Sequence, residues 1–510
     1  MNPITHPLWS QNSEAETHAA LSRDLETDVI IVGAGITGMS AALRLAEAGK
    51  RVVVLEARTI ASGVTLGTTA HVTEAIDTRY QEIESTFGKE ASRLVASASR
   101  AAIDHIARRA QTLAIECDLA RVPGFLYTEG ADDIDMLAKE LTAAKAAGLP
   151  VTMSDVPGLP FRTAGAVRFD DQLRIEPYAY VMGLTRAAVA LGVRIFENTR
   201  VVELIENGGV EARTDAGCWV RGQAAFCATH SPLNKILLHT KLGHYQSYVA
   251  AFQGRTVGDA LYWDTADPYH YLRNANVRGD SYLVVGGEDH KTGTEEHTQI
   301  SFERLLVYAR EHFGTDRPDF HWSAQVVESI DGLPYIGRNA ASKHIYTATG
   351  YSGNGITFGT IAALLVTDLI TGVPNKWADL FHATRVKASA IGSFLRENKD
   401  VPAYLIGERL SPPEVSSTLQ IDCDQGRTMK VKGERLAVYR DRGGALHAVS
   451  AICPHMGCLV HFNDAERTWD CPCHGSRFGT DGRVIDGPAM TNLAQHSLVE
   501  VVDESKIKAG

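Results

Sequence analysis

The sequence contains no apolar run long enough to cross a membrane. Ile361-Ala-Ala-Leu-Leu-Val366 is interrupted at Asp368, far short of the ~20 residues a span needs. Met1 to Leu25 carries acidic residues and two prolines but no apolar h-region, so it does not read as a signal peptide, and a cytoplasmic protein is the default expectation. Excess positive charge is missing as well. Fifty basic against 61 acidic residues leave a net charge of -11, which opposes binding to phosphate backbones or anionic lipid surfaces and argues against nucleic acid as a partner. Cysteine is scarce, and eight in 510 residues cannot form a disulfide scaffold. Their distribution is uneven: Cys117, Cys218, Cys227 and Cys423 are scattered, whereas Cys453, Cys458, Cys471 and Cys473 crowd together.

What is present is enough apolar material for sizeable cores. With 44% hydrophobic residues, 22% charged residues and 45 glycines, the chain reads as soluble and globular rather than disordered or fibrous. At about 150 residues per domain its length predicts roughly three domains.

Asp28-Val-Ile-Ile-Val32 is a β-branched run of the kind found in a strand buried on both faces. Gly33-Ala-Gly35-Ile36-Thr37-Gly38 follows at once, then the helix-forming stretch Met39 to Ala48, Gly49 as a stop, and a second strand Arg51 to Glu56. This is a complete β-α-β unit. Gly33 suits a tight turn, Gly35 a close approach of backbone to pyrophosphate, and Gly38 close packing of helix on strand. The helix N-terminus presents free N–H groups and a positive dipole end to phosphates. Glu56, at the tip of the second strand, can accept hydrogen bonds from a ribose diol and would repel a 2′-phosphate. The motif by itself fits either FAD or NAD. Residues 350–359 do not supply a second such fold, because their glycines lack the fingerprint spacing and no strand tipped by an acid follows. NADH is therefore not the expected source of electrons.

Glu56-Ala57-Arg58 and the loop from Ala61 to Ala70, with Thr68 and Thr69, resemble the D-amino-acid oxidase-like flavoproteins, the group containing glycine and sarcosine oxidases. In that group the loop wraps the FAD pyrophosphate and flavin. The resemblance continues in Gly192 to Val202, similar to the strand whose backbone touches adenine and including Val201. It returns in Asp331 to Gly337 and in Ile345 to Gly355, followed by a helix from Ile356 to Thr371. It implies that Gly350, Gly353, Gly355 and Ile356 close over the flavin ring. Between these parts, Tyr245 to Val249, Tyr262 to Asp264 and Tyr282 to Gly287 have strand character, and the family builds an antiparallel sheet over the flavin there. The resemblance implies a substrate-carboxylate arginine, with Arg273 the first candidate and Arg338 the second; the other reading of either is a salt-bridging surface residue. Gly67-Thr-Thr-Ala-His71 is similar to the place where dimethylglycine and sarcosine dehydrogenase relatives attach the flavin 8α-methyl to histidine. The alternative for His71 is a ring hydrogen-bonded inside the flavin loop.

Trp377 to Asn398 reads as an amphipathic helix, and Pro402, Gly407 and Ser411-Pro-Pro413 as a linker. Beyond it, short alternating runs at residues 428–432, 435–439 and 446–450 indicate a small all-β domain. Cys453-Pro-His455-Met-Gly-Cys458 and Cys471-Pro-Cys473-His474-Gly-Ser476 lie within it. Two Cys and two His could ligate zinc, but zinc pairs usually come as C-x₂₋₄-C and H-x₃₋₅-H. The mixed boxes resemble instead the Rieske [2Fe–2S] domain, which implies that Cys453, His455, Cys471 and His474 hold the cluster. Resemblance to Rieske proteins of the cytochrome bc type further implies a disulfide between Cys458 and Cys473, a serine at 476 bonded to a bridging sulfide, and a covering proline loop at Gly487-Pro488. Phe478 departs from them where they carry a tyrosine, which implies a lower cluster potential within the Rieske window of about -150 to +300 mV.

The expected architecture is an α/β FAD-binding Rossmann-type domain interleaved with an antiparallel-sheet substrate domain over 26–380, after an extension over 1–25. A helix and linker over 381–414 and an all-β Rieske domain over 415–510 complete it. The whole chain resembles a bacterial family of D-amino-acid oxidase-like proteins with a C-terminal Rieske domain. The resemblance implies hydride transfer from a small-molecule amine or amino-acid-like substrate to flavin, with electrons leaving singly through the cluster to an external acceptor protein. Two alternatives stand beside it. One is an oxidase that uses O2 and keeps the cluster as a structural or regulatory element. The other is a reductase or monooxygenase-like tailoring enzyme that receives electrons through the cluster from a donor.

Overall fold

A computed structural model describes residues 6–12, 16–233, 238–339 and 341–496. Parts of the expected extension (1–5 and 13–15) and of the expected cluster domain (497–510) lie outside the described residues.

The run Val29–Val32 is buried at every position and lies inside a six-stranded sheet. Its order is Tyr335–Arg338, Ile345–Thr349, Ala224–Cys227, Val29–Val32, Val52–Leu55, Arg194–Phe196. All neighbours are parallel except the first pair, and burial on both faces is what an unalternating β-branched run demands. The first helix, Ile36–Glu47, starts three residues before the expected Met39. Gly38 thus falls in its first turn, where a Cβ would lie 1.9 Å from the Gly33 carbonyl oxygen. Helix Gly355–Thr371 is buried from Ile356 to Thr367, so the apolar run at 361–366 is core. Among the described residues no helix is long and apolar enough to cross a membrane.

A second, mostly antiparallel sheet carries the expected middle strands within Leu242–Gln253, Leu261–Asp264 and Asp280–Lys291. Phe320–Ser329 forms one edge and Ala120–Thr128 and Gly165–Arg174 the other half. The stretch expected as one strand at 192–202 is two, Arg194–Phe196 and Val201–Glu206, in different sheets. The chain turns between them at Asn198, whose φ is 48°, and Glu197 accepts the Ile60 and His18 backbone N–H groups at 2.8 Å each.

The cluster lobe has a three-stranded sheet (Gln425–Val431, Glu434–Arg440, Leu446–Ser450) and a four-stranded one (His461–Asn463, Thr468–Asp470, Arg477–Gly479, Val484–Asp486). Two expectations before it need correction. The helix at 377–398 is broken into Ala378–Phe381 and Ile391–Asn398. Arg385, between them, is committed to both oxygens of Asp331 and to the Leu333 and Pro334 carbonyls. The linker, in turn, is helical over 401–410, with Val401, Tyr404 and Leu405 packed on the cluster-lobe core. The lobes meet along a polar seam. Gln246 donates to Glu466 at 2.8 Å, Thr298 to Asp464 at 2.7 Å, Gln325 to the Gly475 carbonyl at 2.8 Å and Arg200 to the Val484 carbonyl at 2.9 Å.

Candidate active site and iron–sulfur centre

The turn after Val29–Val32 opens on a cavity. Gly33 sits there at φ 102°, a Cβ on it would lie 2.5 Å from the Ala228 carbonyl oxygen, and only glycine accepts both conditions. Gly33, Gly35, Ile36 and Thr37 line the cavity, with Glu56, Ala57, Arg58, Thr68, Thr69, His71, Val201, Gly353, Gly355 and Ile356. Gly38 and Gly350 stand behind the wall, Gly38 in the first turn of the helix against Gly33 and Gly350 against Ser329. The Glu56 carboxylate accepts the backbone N–H groups of Ala34 at 2.7 Å and Arg58 at 2.9 Å, which leaves lone pairs for a ribose diol. Glycine backbone, a helix N-terminus and an oriented carboxylate fit the ADP half of a dinucleotide.

The flavin loop is held by two indoles that the sequence reading did not single out. Trp9, fully buried, donates to the Thr68 carbonyl at 2.7 Å, and Trp322 to the Gly67 carbonyl at 2.8 Å. The expected N-terminal extension is therefore partly core, and the apolar pair Leu8-Trp9 in an otherwise polar stretch was the only signal. Both nitrogens of His71 are engaged: Nδ1 lies 3.1 Å from Thr69 Oγ1 and Nε2 3.2 Å from the Leu272 carbonyl. A carbonyl only accepts, so Nε2 carries the proton, and in the neutral ring Nδ1 accepts the Thr69 hydroxyl. Burial, and then the charge of Arg273, push its pKa down to about 3.

Neither arginine candidate lines this cavity. Arg273 is completely buried, and it donates to the Ala70, Ile175 and Asn274 carbonyls at 2.7, 3.0 and 3.0 Å while lying 5.3 Å from the Trp9 ring. Its donors go to backbone carbonyls, one of them in the flavin loop, which corrects the expectation of a substrate contact. Arg338 is exposed on the edge strand of the six-stranded sheet. The cavity wall that the sequence left unassigned comes from Asp77, Ser247, Trp263, Tyr269 and Tyr271, and from Ile485, Asp486, Gly487, Ala489 and Met490 of the cluster lobe.

In the cluster lobe the two boxes face each other. The Cys453 and Cys471 thiols are within hydrogen-bond reach, with the His455 and Met456 backbone N–H groups and the Ser476 hydroxyl turned toward Cys453. Cys458 and Cys473 form a disulfide, with Cα atoms 6.5 Å apart, which removes them as iron ligands. The His455 and His474 rings lie 5.0 Å apart, and Nδ1 of His474, a buried residue, has no hydrogen-bond partner. Two free thiols and a buried imidazole nitrogen left open are a donor set that fits a [2Fe–2S] cluster with Cys₂His₂ ligation. Ser476 Oγ also accepts the Ala489 N–H at 3.0 Å, tying the loop after Gly487-Pro488 to the cysteine box. His239, from the flavin lobe, meets His455 edge-to-face with ring centroids 4.9 Å apart.

Comparison with known proteins agrees with both halves. Residues 28–369 match the FAD dependent oxidoreductase family (DAO), and residues 412–497 the Rieske [2Fe-2S] domain. A protein of Bacillus subtilis (strain 168), YhfW, whose name describes a Rieske 2Fe-2S iron-sulfur protein, is 31% identical over 496 residues, 96% of this chain and 97% of its own. The cytochrome b6-f complex iron-sulfur subunit of Pisum sativum is 42% identical over 86 residues, 16% of this chain and 37% of its own. Glycine oxidase from Geobacillus kaustophilus shares the fold with a TM-score of 0.60 at 19% identity, covering 71% of this chain and 99% of its own. L-amino acid deaminase from Proteus vulgaris does so with a TM-score of 0.60 at 14% identity, over 72% and 99%. The cavity, the paired boxes and these matches together place the chain in the DAO family of FAD dependent oxidoreductases, with a C-terminal Rieske domain and with FAD and a [2Fe–2S] cluster as its cofactors.

Proposed function

We propose that the protein is a dehydrogenase of an amine or amino-acid-like substrate, and that its electrons leave one at a time to an external acceptor protein. When bound, FAD supplies uptake of a hydride from the substrate C–H bond, and the cluster supplies one-electron passage outward. The observation that carries this reading is the shared wall: residues 485–487, 489 and 490 of the cluster lobe line the same cavity as the dinucleotide cradle. Gln325 lines that cavity too, and it donates at 2.8 Å to the carbonyl of Gly475, next to His474. An arrangement in which the cluster were only a structural or regulatory element would not need that contact. The solved structures of this fold named above bear the names of enzymes acting on glycine and L-amino acids, which supports the amine class.

The chain's own groups suit the role. Trp9, Trp322 and Arg273 fix the loop carbonyls at 67, 68 and 70. His71, neutral and 5.5 Å from the Trp263 ring, adds a polar group without adding charge. Anaerobic mixing of the loaded enzyme with a panel of amines is the test. Loss of the flavin band followed by loss of the oxidised cluster signal is the expected order; cluster first, or no response to any amine, overturns the reading.

A further inference from the structure

The part of the cavity wall beside the antiparallel sheet is acidic and aromatic, Asp77 coming from the loop after His71–Val72. Asp77 accepts the Gly353 N–H at the start of helix Gly355–Thr371, and a Cβ on Gly353 would lie 2.8 Å from Asp77 Oδ2 and 3.3 Å from the Tyr269 hydroxyl. The Tyr269 and Tyr271 rings are 5.7 Å apart, and Tyr271 shares a 2.7 Å hydrogen bond with Ser247. Asp289 stands behind them, hydrogen-bonded to Ser247 and Tyr269, while its Oδ1 is shut off from solvent without a partner. Glu328 lies on Phe320–Ser329, two and four residues beyond the cavity-lining Val326 and Ala324 and on their face of the strand.

These three carboxyls have no ion-pair partner among the described residues. The cations around them are engaged elsewhere: His270 bonds Asp264 and Glu288, and Lys291 pairs with Glu397. Arg79 draws on Asp77 only at a distance. Burial first, and the neighbouring carboxylates next, push Glu328 up to about 8; burial chiefly pushes Asp289 up to about 7. Such a group of half-buried acids is costly unless a positive charge joins it, and aromatic faces beside carboxylates form a cation-binding surface.

Resting on the amine-oxidation reading above, we propose that Asp77, Asp289, Glu328, Tyr269 and Tyr271 recognise a positive charge on the substrate, and that the substrate class is an amine with a second cationic group and no carboxylate. A short aliphatic diamine fits this description. An α-amino acid does not, because its carboxylate would meet Asp77, while the arginines of the wall, Arg58 and Arg200, stand beside Glu56 at the dinucleotide cradle.

Two measurements on the FAD- and cluster-loaded protein test this. In the first, tetramethylammonium chloride is titrated against a sodium chloride control while the flavin visible spectrum is followed. A saturable shift is expected, about tenfold weaker in Asp77→Asn and in Glu328→Gln and tighter as pH rises through the range in which Asp289 and Glu328 ionise. Glu328→Gln carries the comparison if Asp77→Asn does not fold. No saturable shift, or one that neither variant weakens, overturns the cation site. In the second, anaerobic flavin reduction is compared for 1,4-diaminobutane, butylamine, 4-aminobutyrate and alanine. The diamine is expected to react fastest, by about tenfold or more over the carboxylate-bearing amines; preference for those amines overturns the inference and leaves the dehydrogenase standing. Binding of tetramethylammonium with no reduction by any amine would instead sink the dehydrogenase and leave the cation site.

Discussion

The four iron ligands implied for the cluster lobe fall within residues 453–474, whereas the flavin cavity draws its walls from residues as far apart as Val32 and Met490. The two sites differ in what fixes them. Hairpin strands and the Cys458–Cys473 bridge bring the two boxes of the cluster lobe together over a short chain. The flavin cavity exists only after two sheets, an N-terminal segment and another lobe have packed. A local site should fail locally, and a dispersed one should respond to substitutions far from any cofactor.

The largest expected effect tests the local side. Cys453→Ser removes one of the four implied ligands and should abolish the cluster's visible and EPR signals, while FAD content per chain stays near that of the parent; loss of FAD in the same variant would show that the lobes do not hold their cofactors separately. Next is Trp9→Ala, remote in sequence from every motif. Emptying that fully buried site should cost about 3–5 kcal/mol, read by denaturant unfolding, and should loosen FAD because the Thr68 carbonyl loses its donor. An unchanged FAD affinity would break the view of a dispersed site.

The smallest effect concerns the helical linker. His461 lies 3.1 Å from Glu408 and 2.7 Å from the Gly293 carbonyl. Burial pulls its pKa down, but Glu408 and that carbonyl outweigh it and hold it above the ordinary value. A raised histidine contributes stability that is complete below about pH 6.5 and fades as pH rises through the folded-state value. Glu408→Gln should therefore cost about 0.5 kcal/mol at pH 6, discounted for the partial exposure of both groups, and almost nothing at pH 9. Thermal melts at the two pH values check this.

The contrast also explains how far sequence reasoning reached. The β-α-β unit was legible because Gly33, Gly35 and Glu56 act through backbone shape and strand position, which follow from neighbours in the chain. The cluster boxes were legible for the same reason. Arg273 was misread, since strand character places a residue in a sheet but does not tell which side chain the packed interior will recruit to hold carbonyls. Trp9 was missed because its partners lie 59 residues or more away in sequence. The 401–410 segment read as linker from its proline and glycine, and packing against the cluster lobe overrode that local preference.

The sequence by itself determined the two cofactor classes, the buried parallel strand and the pairing of cysteines with histidines, because these depend on residue type at short spacing. Only the tertiary structure decided that the loops of the cluster lobe form a wall of the flavin cavity, that its arginine candidates lie outside that wall, and that Asp77, Asp289 and Glu328 gather beside Tyr269. Those facts are set by which distant surfaces pack together, and the electrostatic character of a cavity is a sum over side chains whose proximity no short stretch of sequence encodes.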